Sequence, residues 1–395
     1  MKFDYDFVII GAGAAGVIAA LSALRAGKSV ALIDSQAEPA RKLLITGGGR
    51  CNFTNANVSA DKYVSQNPHF CKSALARLPV ADVLDFCRRN TLSYTLERDG
   101  KYFASSAKAV RDLLFSLAAG AGAKFLFGRK VSDIAVSCGG FSLTTQGETL
   151  TAARLLIATG GLSVSSTGAS DFAFRAAQKF GLTVAPLSPA LTPMLFDEKD
   201  AAFFGGLSGV SCDVSLSFAK KKLSGALLFT HTGISGPSVL QASLFRAPQD
   251  VMRIDFAPSV DVFDFLKQSR SAHPKRLPAS VLTDILPKRL AEAFTRNAAV
   301  SLPVGDLSDK VFRAFDDKIK RYAFVPRAQA GYDKAEVTKG GVDTSALSSQ
   351  TMECRAISGL YFAGECVDVT GMLGGYNLHW AFASGRAAGL AAAQK

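Results

Sequence analysis

The stretch YDFVIIGAGAAGVIAALSALRAGKSVALID, residues 5–34, decides the fold of this chain. An apolar run, Phe7 to Ile10, meets the glycine loop Gly11-x-Gly13-x-x-Gly16. Through Ala14 and Ala15 the loop passes into an alanine-rich segment of helical character, which reaches about Ala26 and closes at Gly27. A second apolar run, Ser29 to Ile33, ends in Asp34. Strand, glycine turn, helix and strand in this order make a dinucleotide-binding βαβ unit. The first glycine allows the tight turn, the second lets a pyrophosphate approach the backbone, and the third lets helix and strand pack closely. The free N–H groups of the helix start attract phosphate. Asp34 stands where an acid bonds the ribose hydroxyls of adenosine. The fold class is therefore α/β, with a Rossmann-like nucleotide-binding domain.

The totals bound the rest. The chain has 395 residues, 48% of them apolar and 20% charged, which is ordinary globular composition. No apolar run reaches the roughly 18 residues of a membrane helix. The start, MKFDYDFVII, carries two acids before its first apolar run, unlike a secretory signal. A cytoplasmic protein with no membrane partner is expected. The seven cysteines, at 51, 71, 87, 138, 212, 354 and 366, are odd in number and contain no C-x-x-C. That weighs against a disulfide framework, a zinc site and a thiol-disulfide flavin reductase, and favours cysteines packed as small apolar residues. His69, His273 and His379 show no metal-like spacing with carboxylates, so no metal is expected. The net charge of +12 is spread along the chain without a long basic run, which weighs against a nucleic-acid partner.

Periodicity divides the chain into four pieces. Residues 1–190 form the first part of the nucleotide domain. Within it lie two helical stretches separated by a hairpin at Asp99-Gly100, and a small meander broken at Gly139-Gly140 and Gln146-Gly147. The apolar strand Arg154 to Ala158 follows, ending in Thr159-Gly160-Gly161. Beyond the proline-rich PLSPALTPM, residues 191–258 alternate like strands and residues 259–324 turn helical and basic. Residues 325–395 return to the nucleotide domain and end in a helix from about Asn377.

Three features choose FAD over NAD. The fingerprint lies close to the N-terminus, a later strand ends in ATGG (158–161), and LYFAGECVDVTGMLGGYN (360–377) precedes the last helix. This set resembles the two-dinucleotide-binding-domain flavoproteins. In those proteins the late glycine-acid segment meets the ribityl chain, and the last helix points its N-terminus at the flavin. Glu365 directly follows Gly364 and Asp368 stands a little further on; either acid can face the flavin.

The resemblance extends further. GAGAAG, RKLLITGGGRCNFTN, ATGGLSVSSTGASDFAF, LLFTHTGISGPSVLQAS and LYFAGECVDVTGMLGGYNLHWAFASG together look like the NAD(P)/FAD-dependent oxidoreductases of the aminoacetone oxidase or BaiN type. That family implies an FAD domain interrupted by a β-barrel and a small helical subdomain. It places GGGRCN beside the FAD, where Gly49 and its neighbours admit a close approach. Lys42 and Arg50 would balance phosphate charge, and Cys51 and Asn52 would lie by the ring. Val131, Gly374, Gly375 and Asn377 complete the expected cofactor set. His379 stands where the resemblance leads us to expect glutamine.

A flavin enzyme on a small organic substrate also needs a proton donor or acceptor. His231, in FTHTGISGP, is the first candidate; Tyr376 and Cys51 follow. With no second GxGxxG between strand and helix, NAD(P)H is expected to dock transiently as cosubstrate. Three readings compete: an NAD(P)H-linked or oxygen-dependent FAD oxidoreductase acting on a small molecule, a tRNA-modifying flavoprotein, and a redox sensor using Cys51. The first is favoured.

Overall fold

The computed structural model describes residues 2–137 and 139–394; Cys138 lies outside the described residues. The chain divides into two compact units, residues 1–189 with 336–395, and residues 190–335.

The first unit is built on parallel strands. These are β1 (Tyr5–Ile10), β2 (Val30–Asp34), β3 (Lys124–Phe127), β4 (Glu148–Ile157) and β5 (Leu360–Phe362). Their order across the sheet is β3-β2-β1-β4-β5. The residues of β1, β2 and the end of β4 are nearly continuous apolar runs because both faces of the sheet are covered. The apolar strand ending at ATGG is not separate from the meander. The ten residues of β4 run straight through, pairing first with Gly140–Thr145 and then with β1.

Two helices govern the site. The first, α1 (Ala14–Leu24), is buried along most of its length, so it carries alanine rather than an amphipathic stripe. The short α2 (Arg41–Ile45) follows β2, and against α1 packs the C-terminal α3 (Tyr376–Gln394). The packing is so close that a Cβ at Gly385 would stand 2.2 Å from the Ala15 carbonyl oxygen, and one at Gly389 2.2 Å from that of Ala19. Gly16 plays the third fingerprint role: a Cβ there would lie 2.0 Å from the Gly11 carbonyl oxygen.

The second unit holds a seven-stranded sheet and four helices between residues 262 and 320. The pairing path runs from Tyr322–Phe324 through Met252–Asp255, Ser211–Phe218, Lys221–Phe229, Gly233–Ser235 and Met194–Leu195 to Ala328–Gln329. Among the described residues the two end strands are not paired with each other. The core is rich in phenylalanine, with Phe204, Phe229, Phe256, Phe294 and Phe324 all buried. The return to the nucleotide domain, expected at 325, falls at 336. Residues 325–335 stay with the insert because Ala328–Gln329 hydrogen-bonds to Met194–Leu195 and the Ala330 N–H donates to the Pro193 carbonyl.

Candidate functional site

The first unit contains a cavity of about 700 Å³ at the carboxyl ends of β1, β2 and β4. Parallel sheets bind ligands at that end. Gly11, Gly13, Ala14 and Ala15 line it from the first turn, and Asp34 from the end of β2. Asp34 is fixed by two backbone donors, Ala12 N–H to Oδ2 and Gln36 N–H to Oδ1, each at 2.8 Å. Thr159, Gly160 and Gly161 enter from the end of β4, and Val131 from the strand after β3. Gly364, Glu365, Gly374, Gly375 and Asn377 line the same space from the C-terminal segment, with Lys42 and Asn52 from the stretch after β2.

A polar cluster ties these segments together. The Lys42 ammonium donates to Glu365 Oε2 and to Ser163 Oγ, both at 2.6 Å. Glu365 Oε1 accepts from Ser163 Oγ at 2.8 Å and from the Thr338 N–H at 2.9 Å. Thr338 Oγ1 in turn accepts from the Leu162 and Ser163 N–H groups. Gly161 has to be glycine, since a Cβ there would stand 2.5 Å from Thr338 Oγ1.

The cavity fits FAD. Gly13, Gly48 and Gly160 line it, and a Cβ on any of them would meet nothing within 4 Å, so bare backbone faces the space where a ligand comes. The N-terminus of α1 has no side-chain cap and no acid in its first turn, which leaves its N–H groups and dipole to phosphate. The buried hydroxyl of Thr159 has no hydrogen-bond partner among the described residues. Of the two acids left open by the sequence, Glu365 lines the cavity. Asp368 does not; it is 4% exposed, accepts from the Gln66 N–H, and burial holds its carboxyl above the usual range.

Several expected residues stand elsewhere. Gly47, Gly48 and Gly49 adopt φ of 57°, 65° and 85°, so the triple glycine is needed for a left-handed turn and not only for a ligand. After that turn Arg50 pairs with Glu97 at 2.5 Å and lies over the Phe103 ring. Cys51 is fully buried, and burial pushes its thiol up to about 12. Neither Gly16, Gly49, Arg50 nor Cys51 lines the cavity. Asn52, with its amide oriented to satisfy its neighbours, donates to the Tyr102 carbonyl and accepts from the Gly375 N–H, so it holds the start of α3. The Asn377 amide is occupied by Gly371, accepting from its N–H and donating to its carbonyl. Tyr376 is 6% exposed, its carbonyl accepts from the Tyr63 hydroxyl, and burial raises its phenol. His231 belongs to the second unit, exposed in the turn between two strands. The Thr230 N–H and hydroxyl close that turn onto the Gly233 carbonyl, without the imidazole. Sequence reasoning missed Ser163, Thr338, Lys101 and Glu336, whose roles depend on segments far apart in the chain.

The fold and the cavity define an FAD-binding Rossmann oxidoreductase. The chain belongs to the family described as HI0933-like protein Rossmann domain, which it matches over residues 5–391. It is 40% identical over 383 residues, 96% of each chain, to the ribosomal RNA dihydrouridine synthase of Escherichia coli strain K12. It is 30% identical over 408 residues, 98% of each chain, to the 3-dehydro-bile acid delta(4,6)-reductase of Clostridium scindens. A flavocytochrome c3 fumarate reductase shares the fold, with 16% identity and a TM-score of 0.52 over 99% of this chain and 78% of that one. No helix among the described residues is long and apolar enough to cross a membrane.

Proposed function

We propose that this protein saturates the C5=C6 double bond of a uridine in ribosomal RNA, with NAD(P)H as the source of the hydride and FAD as its carrier. The observation that carries the reading is the 40% identity, over 96% of both chains, to a ribosomal RNA dihydrouridine synthase. This reverses the order expected from the family resemblance and the dispersed charge, which set nucleic acid behind small molecules. The net charge of +12 supports it, since cationic surfaces gather the phosphate backbone whether or not the charges form one run.

The chemistry is economical. Dihydrouridine formation and the reduction of a 3-oxo-Δ4,6 steroid both saturate a carbon–carbon double bond conjugated to a carbonyl. The same flavin chemistry would suit either acceptor. FAD, when bound, supplies hydride transfer to the β-carbon of such a bond. The chain's residues do the rest. The uncapped N-terminus of α1 holds phosphate, and Asp34 holds ribose. Glu365, fixed by Lys42, Ser163 and Thr338, presents a rigid acceptor to the middle of the cavity. The start of α3, held by Asn52, brings the positive end of a 19-residue helix to the cavity wall, where it favours negative charge by about 1 kcal/mol.

The test is direct. Ribosomal RNA lacking the modification is incubated with the FAD-loaded protein and NADPH or NADH, digested to nucleosides and analysed by mass spectrometry. A uridine gaining two hydrogens supports the reading. Reduction of a steroid dienone with no dihydrouridine in RNA would replace it with a small-molecule reductase.

A further inference from the structure

The acids around the cavity show one exception. Asp34 accepts from two backbone N–H groups, Glu38 pairs with Arg111, Asp171 pairs with Arg175 at 2.9 Å, and Glu365 is bonded by Lys42, Ser163 and Thr338. Glu336 also lines the cavity, yet its carboxyl has no hydrogen bond or ion pair among the described residues. Its backbone lies beside the polar cluster, the Glu336 carbonyl standing 3.4 Å from Ser163 Oγ, whose proton goes to Glu365. Its side chain is exposed to the cavity, and desolvation by the cavity walls holds the carboxyl above the usual range against the pull of Lys42 and Lys101.

The position along the cavity matters as much. Asp34 marks the adenosine end. Lys101 marks the other: its side chain reaches within 3.0 Å of where a Cβ of Gly374 would be, at the start of α3. The Glu336 carbonyl lies beside Ser163, which is bonded to Lys42 and to Glu365 of the C-terminal segment, so Glu336 belongs to this cluster rather than to the Asp34 end. The charged groups facing it are Lys42 from α2, Lys101 from the strand Lys101–Ala104, and Glu365 from the turn Gly364–Cys366. Both lysines are engaged elsewhere, Lys42 with Glu365 and Lys101 with Asp99 at 3.4 Å, so neither locks the Glu336 carboxyl.

The geometry points to Glu336 as the general acid that delivers the proton to the α-carbon of the substrate's conjugated double bond. This rests on the reading of the protein as a uracil reductase. In the step, C6 gains a hydride, and the π pair of C5=C6 forms the new C5–H bond with the carboxyl proton. Glu336 is left as a carboxylate and regains its proton from water. The electrons come from NAD(P)H, which ends as NAD(P)⁺. An unpartnered carboxyl is what such a donor needs, because a hydrogen bond or ion pair to the carboxylate would lower its pKa and hold it ionised. A pKa held above the usual carboxylate range enlarges the protonated fraction that can donate.

The experiment is anaerobic and splits the half-reactions. FAD-loaded protein is reduced by NADPH or NADH, then mixed with unmodified ribosomal RNA, and the return of the oxidised flavin band is followed. Glu336→Gln is expected to slow the reoxidation by about 100-fold or more, the scale of general acid catalysis. Glu336→Asp should recover part of it. In the wild type the reoxidation rate should fall as pH rises through the carboxyl's pKa, and that limb should vanish in Glu336→Gln. In deuterated water the wild type should place deuterium on one face of C5, and Glu336→Gln should lose that preference. A Glu336→Gln protein that reoxidises at the wild-type rate with the same pH profile overturns the assignment while leaving the uracil reading intact. A wild-type protein that is reduced but never reoxidised by RNA sinks the uracil reading itself, and this assignment with it.

Discussion

Replacing His379 by glutamine isolates a single titration buried beside the site. His379 is fully buried on α3. Its Nε2 lies 3.0 Å from the Leu78 carbonyl and its Nδ1 2.8 Å from Thr54 Oγ1. A carbonyl only accepts, so Nε2 carries the proton and Nδ1 accepts from the threonine hydroxyl. Protonation would put a second N–H against Thr54 and a charge in the core. Burial accordingly pulls the imidazole from 6.5 down to about 4. A group whose folded pKa is depressed binds more protons when unfolded, so it costs stability as pH falls. The contribution is fully present above pH 6.5, declines below it, and is exhausted by pH 4. From pH 7.5 to pH 5 the loss is about 2 kcal/mol, and the full cost approaches about 3 kcal/mol. Glutamine can make the same two bonds, its amide donating to Leu78 and its carbonyl accepting from Thr54, without titrating. Thermal or urea unfolding of both proteins across pH 4 to 8 is the assay. The wild-type curve should fall away from that of His379→Gln by this amount. Because Thr54 and Asn52 belong to one strand and Asn52 holds Gly375, FAD affinity should weaken over the same window. Parallel pH curves for the two proteins would refute the reasoning.

Other consequences follow from the same contacts. Gly385→Val should cost about 1–3 kcal/mol and lower FAD occupancy, because the side chain meets the Ala15 carbonyl oxygen and pushes α3 off α1; thermal melts and flavin content measure both. Lys42→Met removes a partner from Glu365, and about 1–2 kcal/mol of that loss should appear as a roughly tenfold weaker Kd for FAD by fluorescence titration. Cys51, buried with a thiol at about 12, should resist iodoacetamide in the folded protein, and Cys51→Ser should leave the flavin potential unchanged; rapid alkylation would restore the redox-sensor reading.

The parts of the site that sequence made legible are those carried by backbone. GAGAAG, ATGG and GGYN lie at strand ends or helix starts, where glycine permits contacts that no other residue does, and each of these segments reaches the cavity. Side-chain direction was not legible in the same way. Within GGGRCN three left-handed glycines reverse the chain, so Arg50 and Cys51 leave the site while Lys42, before the turn, stays in it. Glu336 escaped notice because its importance lies in what it lacks: a partner is visible or absent only once Ser163, Glu365 and Lys101 are brought together from distant segments. The domain return was misplaced by eleven residues because a two-residue strand, Ala328–Gln329, carries too little pattern to be seen without its partner at Met194–Leu195.

In the proposed reaction one bound flavin passes electrons from a nicotinamide to a uracil ring in RNA. The most direct measurement is the flavin absorbance under anaerobic conditions, first on adding NADPH or NADH, then on adding unmodified ribosomal RNA. The expected result is bleaching at the first step and full return of the band at the second, with dihydrouridine formed in equal amount to the flavin reoxidised. Bleaching that persists in RNA and is reversed by a small conjugated ketone would contradict it.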